Sequence, residues 1–272
     1  MSRPYGMTGT HRFDTDTAVG AGRNNRWPAT VSPAWTTIGG LPHGGYLFAL
    51  TLAAAAQAAD GRPLLTATAH FPRPARLGPA DIDVEVVKQG RLTSTATAGL
   101  RQDGKERVRV LATYGHPRFL DEPAEPSAGP PSLGGPAHCL VPPPDLAAGL
   151  DATVTERFDY RLPPVSRWVG GPGPGTARLD AWIRFADGRA PDLAALPLFV
   201  DASPSALGEL VGPVAVPTIE LTIHLRRQPA PGWVQARMRA TRLAGGLVEE
   251  DAQLWDSTGR LVAQARQLGL RL

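Results

Sequence analysis

Asp201 follows five apolar residues, Leu196-Pro197-Leu198-Phe199-Val200, in a stretch that reads as the start of a buried helix. An ionised carboxylate among such neighbours costs several kcal/mol unless it is paired or hydrogen-bonded. Two readings are open. Ser203-Pro204 can supply an ordinary helix start, with Asp201 solvated beside it. Alternatively the acid is put to use, as shielded carboxylates are in proton transfer. A second stretch, His43-Gly44-Gly45, stands before an apolar segment. Its glycines let a ligand approach the backbone closely. A helix starting there would offer free N–H groups and a partial positive charge.

Other candidate chemistry is weaker. Cys139 sits in a Pro/Gly-rich stretch with nothing near it to activate a thiol. No two His or Cys residues have metal-ligand spacing, so no metal is expected. Gly170 to Gly175 lacks the strand-to-helix context of a phosphate loop. His70 and His224 occupy matching strand positions and read as structural. Glu249-Glu250-Asp251 reads as a solvated strand or loop. Arg73, Arg76, Arg226 and Arg227 could meet phosphates, although plain surface charge is the simpler reading.

The whole chain sets bounds on these ideas. It has 272 residues, enough for one large or two small domains, and 42% are apolar. The 28 basic and 25 acidic residues are interspersed, which disfavours nucleic acid as a partner. A single cysteine excludes an intrachain disulfide. The first thirty residues are rich in charge and carry no apolar core of a signal peptide. The apolar run from Leu47 to Ala59 is shorter than the ~20 residues of a membrane span. The expectation is a cytoplasmic protein that does not enter a membrane.

The elements that would position Asp201 and His43 come in a repeated order. Thr8–Arg23 could hold one strand and Trp27–Trp35 a second. Tyr46–Ala59 reads as a helix, apolar on every side and therefore wrapped by other elements. Strands follow at Leu64–Phe71, Ile82–Gln89, Thr93–Gln102 and Arg107–Tyr114. Residues 116–150 are crowded with Pro and Gly and read as a semi-rigid linker. The pattern then recurs: strands at Thr153–Arg161 and Thr176–Phe185, a helix from Leu196 to about Val211, and four strands ending at Leu270. His70 overlays His224 at an offset of 154 residues, and Pro42 overlays Pro197 at 155. Domains are therefore expected at 1–115 and 151–272. Each would be an α+β unit, with one antiparallel sheet curved around a central helix.

Two such units side by side make a double hotdog, with both sheets joined into one. The second half resembles the thioesterase-like superfamily, of the acyl-CoA thioesterase II type. The resemblance is carried by Val216 to His224, Gly246 to Asp256 and Gly259 to Gln267, and by His43-Gly44-Gly45-Tyr46-Leu47 and Gln102-Asp103-Gly104 in the first half. It implies hydrolysis of acyl thioesters, on coenzyme A or an acyl carrier protein, with no cofactor. It implies a catalytic set of Asp201, Gln267 and a hydroxyl. Thr218 matches the hydroxyl position. Thr222 is the alternative, since a strand period of two puts it on the same face. The helix opening and its flank, His43, Gly44, Gly45 and Tyr46, are expected to bind substrate, with Thr222 beside them. No carboxylate faces Asp201 from the first half, so one site per chain is expected. The rival readings are a hotdog hydratase or dehydratase that uses an acid and a His, and a non-catalytic acyl-CoA-binding protein. Exposed sheet edges would favour pairing into a homo-oligomer.

Overall fold

A computed structural model describes residues 11–121, 129–143, 152–212 and 214–271. The first half contributes β1 (Arg26–Val31), β2 (Leu64–His70), β3 (Gly78–Gln89), β4 (Thr93–Gln102) and β5 (Lys105–Gly115). The second contributes β6 (Phe158–Arg161), β7 (Arg178–Phe185), β8 (Thr218–Leu225), β9 (Val234–Ala244), β10 (Leu247–Trp255) and β11 (Leu261–Leu270). The helices are α1 (Arg12–Asp16), α2 (Gly44–Ala58), α3 (Arg118–Asp121), α4 (Leu196–Ala202) and α5 (Gly208–Val211).

The strands form one sheet in the order β1-β3-β4-β5-β2-β8-β11-β10-β9-β7-β6. The halves meet at β2 and β8, which pair antiparallel with Thr68 opposite Thr222. Those two residues are also equivalent at the offset of 154, so a pseudo-two-fold axis passes between them. Their hydroxyls lie 2.8 Å apart.

Helix α2 is buried from Gly45 to Ala56 apart from Ala53, and packs on β3, β4 and β5. Its Leu, Ala and Phe side chains have no exposed face to satisfy, which is why its sheet curls around it. Phe158, Phe185 and Phe199 form the aromatic centre of the second half, with rings 4.9–5.2 Å apart. Helix α4 packs on α2, so the two cores are continuous.

Three expectations change. The described part of Thr8–Arg23 holds helix α1 and no long strand. Phe13 on α1 plugs the aromatic core, and Arg189 anchors the helix by pairing with Asp14. Thr153–Arg157 is a 3-10 turn, so strand β6 begins only at Phe158. The helix expected from Leu196 to Val211 breaks at Ser203, whose extended backbone is what a following proline imposes. The described part of the Pro-rich segment is tied to the second half. Gln235 Nε2 donates to Pro131 O, and Trp182 Nε1 donates to Gly134 O.

Candidate active site

Asp201 lies in the last turn of α4, with its side chain 9% exposed. The crossing of α2 and α4 brings it onto the N-terminus of α2. There its Oδ2 accepts the Gly45 N–H at 2.5 Å. A carboxylate from one half thus satisfies an orphan donor of the other half's helix. Such close approach requires glycine. A Cβ on Gly45 would lie 2.7 Å from Asp201 Cβ and 3.0 Å from Leu198 Cα.

Thr218 Oγ1 donates to Asp201 Oδ1 at 3.2 Å and lies 3.5 Å from Gln267 Oε1. A hydroxyl has one proton, so it serves the nearer acceptor and leaves Gln267 Oε1 available. Strand β8 turns Thr218 inward through a bulge. Leu268 is opposite Glu220, but Gly269 is opposite Thr218, so one residue is skipped at Ile219. A bulge of this kind re-aims a side chain.

The bulge overturns the placement of Thr222. Past it, Leu221, Ile223 and Leu225 face the core, and Thr222 points outward with Thr68 and Glu220. The expectation that Thr218 and Thr222 share a face fails because the period of two is interrupted between them. Tyr46 is also not at the site. It is fully buried, stacked 5.6 Å from Trp35, and donates to Asp16 O while accepting from Ser32 N–H. Burial pushes its hydroxyl up to about 12. Gly45 is covered by α4, and its N–H is already used by Asp201, so it is not open to a substrate.

His43, Gly44, Asp201, Thr218 and Gln267 all line one cavity of about 1140 Å³ between the halves. Leu47 and Phe71 wall it from the first half, and Phe158, Tyr160 and Trp168 from the second. The Gly44 N–H meets no acceptor among the described residues. His43 Nδ1 is buried 3.4 Å from Asp201 Oδ2 but lacks hydrogen-bond geometry to it.

One member of this cluster is missed by sequence reasoning. Glu250, read as part of a solvated acidic run, is 1% exposed. Its Oε2 accepts from Gln267 Nε2 at 2.8 Å, and its Oε1 accepts from Ala206 N–H. Burial pushes its carboxyl up to about 7, and the nearby Asp201 charge adds to the rise. The Ala206, Gln267 and Ser205 donors pull the other way. The signal was present in the alternation of β10, where Glu250 falls in step with Val248, Ala252 and Leu254, all buried. The chain Glu250–Gln267–Thr218–Asp201 ends at the α2 N-terminus. It holds a carboxylate and an amide oxygen beside a hydroxyl, next to a free backbone donor.

A continuous antiparallel sheet curved over two helices, with a polar cluster where the halves meet, defines a double hotdog protein. Residues 31–115 match the acyl-CoA thioesterase N-terminal domain and residues 136–271 match the acyl-CoA thioesterase C-terminal domain. The chain belongs to the acyl-CoA thioesterase family, of the thioesterase II type. A crystal structure from Thermobifida fusca assigned to thioesterase II is 32% identical, with a TM-score of 0.86, covering 98% of this chain and 100% of that one. A hot dog fold protein from Alicyclobacillus acidocaldarius, 24% identical, shares the fold with a TM-score of 0.83 over 97% of this chain and 99% of that one. A Mycobacterium tuberculosis protein of uncharacterized activity is 28% identical over 258 residues, 86% of this chain and 87% of its own length. Among the described residues no helix is long and apolar enough to cross a membrane.

Proposed function

We propose that the protein hydrolyses acyl thioesters carried on coenzyme A or an acyl carrier protein, with a water molecule activated by Asp201. The observation that carries this reading is the meeting of Asp201 Oδ1, Thr218 Oγ1 and Gln267 Oε1 at the wall of an apolar cavity, beside the Gly44 N–H. A nucleophilic water must give its protons to acceptors and point a lone pair at the carbonyl. Asp201 Oδ1 and Gln267 Oε1 are such acceptors. The Gly45 N–H and the Thr218 hydroxyl hold the carboxylate in place.

The water oxygen adds to the thioester carbonyl while Asp201 takes one of its protons. The negative charge moves to the carbonyl oxygen, where the free Gly44 N–H at the positive end of α2 stabilises it. Collapse breaks the C–S bond, and the proton held by Asp201 neutralises the departing thiolate. General-base assistance of this kind contributes ~10²–10⁴-fold. No covalent intermediate is needed. Leu47, Phe71, Phe158 and Trp168 suit the acyl chain, and Arg73 and Arg161 on the same cavity suit a phosphorylated carrier arm.

The approach of His43 to Asp201 keeps one rival in view, a hydratase or dehydratase using an acid and a His. A panel of acyl-CoAs separates the two. Stoichiometric free thiol, lost in Asp201→Asn, supports hydrolysis. Double-bond chemistry without free thiol would replace this reading with the rival. Saturable binding with no product would reduce the protein to an acyl-CoA-binding role.

A further inference from the structure

Glu250 is a buried carboxyl with no cationic partner among the described residues. Its Oε1 accepts from Ala206 N–H and from Ser205 Oγ at 3.3 Å, and its Oε2 accepts from Gln267 Nε2 at 2.8 Å. It stands directly opposite Gln267 in the β10–β11 register. It does not line the cavity, whereas Gln267 does. A second bulge, between Glu249 and Glu250 on the β9 side, adjoins it.

We propose that Glu250 is a positioning residue for hydrolysis, fixing the Gln267 amide so that its oxygen and not its nitrogen faces the attacking water. The inference rests on the hydrolytic reading above. The chemistry is one of donors and acceptors. A side-chain amide has a donating end and an accepting end of nearly equal size, so shape alone does not choose between them. In its ionised form the Glu250 carboxylate can only accept, so it selects the donating end. With Nε2 held by Glu250, Oε1 is turned toward Thr218 and Asp201. The water then meets two acceptors, Asp201 Oδ1 and Gln267 Oε1, and keeps a lone pair for the carbonyl. With the amide reversed, Nε2 would donate to the water oxygen, leaving the water one acceptor instead of two and a less nucleophilic oxygen.

Glu250→Gln tests this because it keeps the shape and reverses the preference. The new side chain keeps its oxygen on the Ala206 N–H. Its nitrogen then takes the place of Oε2 and can only donate. Gln267 must turn its oxygen away from the cavity to accept that bond.

The experiment measures thiol release from acyl-CoA by four proteins: wild type, Glu250→Gln, Gln267→Ala and the double variant. Thermal unfolding of each is followed in parallel. The expected result is a kcat loss of about 10- to 100-fold in Glu250→Gln, the scale of a misplaced reacting group, with KM unchanged. Glu250→Gln should add no further loss when Gln267 is already Ala. A fall of the same size in both backgrounds would overturn the proposal, since it would show Glu250 acting only through the Ser205–Ala206 segment. Wild-type kcat in Glu250→Gln would also overturn it. If Glu250→Gln does not fold, Glu250→Met in the same cycle decides by the same criterion. No thiol release by wild type would defeat the hydrolytic reading, and the proposal with it. Release that is insensitive to Glu250 defeats the proposal alone.

Discussion

The Asp201 carboxylate accepts the Gly45 N–H across 156 residues of sequence, so the acid of one half closes the helix of the other. One contact therefore serves both folding and the site. It anchors Oδ2 and leaves Oδ1 for Thr218 and a water.

Gly45→Ala should disturb both. Its Cβ has no room against Asp201 Cβ and the Leu198 backbone, so α2 and α4 must move apart. Overpacking of this kind costs about 1–3 kcal/mol. Chemical denaturation measures that loss, and turnover should fall with it. A Gly45→Ala protein with wild-type stability would mean that the helices do not cross here.

Asp201→Asn should lower turnover by ~10²–10⁴-fold, the share of a general base. The fold should hold, because the Asn oxygen can keep the Gly45 N–H and its nitrogen can donate to Thr218. Steady-state kinetics and the unfolding midpoint, measured together, check the pair of outcomes.

The bulge at Ile219 separates two threonines that a regular strand would have placed together. Thr218→Val should cut kcat by roughly 10-fold or more through loss of a hydrogen bond to a charged group. Thr222→Val, on the outer face, should leave kcat unchanged. Comparable losses from both substitutions would contradict the register of β8 and β11.

Tyr46→Phe removes the hydroxyl that accepts from Ser32 N–H and donates to Asp16 O. An unsatisfied buried donor costs about 1–3 kcal/mol. Stability should drop by that order with kcat and KM intact, as fits a residue of the core.

Glu250 gives a pH signature. Its carboxyl is raised from 4.5 to about 7 in the folded chain. Between those values the native state holds a proton that the unfolded chain releases. Stability from this group is therefore fully present below pH 4.5 and is lost as pH rises through 7. The loss amounts to ~3 kcal/mol at most. The difference in unfolding free energy between wild type and Glu250→Gln should move by that order from pH 4.5 to pH 8, in favour of the variant at the alkaline end. A difference that does not change with pH would show that Glu250 titrates in the ordinary range.

Much of this architecture is legible in the residues themselves. The all-round apolar character of Leu47 to Ala56 demands a wrapping sheet, and β3, β4 and β5 supply it. The offset of 154 residues reappears in space as the Thr68–Thr222 pair. Local sequence carries such features because burial of an apolar face and strand period are local properties.

What depended on tertiary structure is the aim of individual side chains. Asp201 reaches the α2 N-terminus only because Gly45 lets two helices cross, and no pattern within α4 announces that crossing. Thr218 faces inward because of a bulge in the pairing of β8 with β11. Glu250 sits in step with buried residues, yet its charge points to solvent exposure; Gln267, Ser205 and Ala206 supply the hydrogen bonds that allow its burial. Periodicity is written along the chain, whereas partnership of polar groups is settled by which distant segments the packing brings within 3 Å.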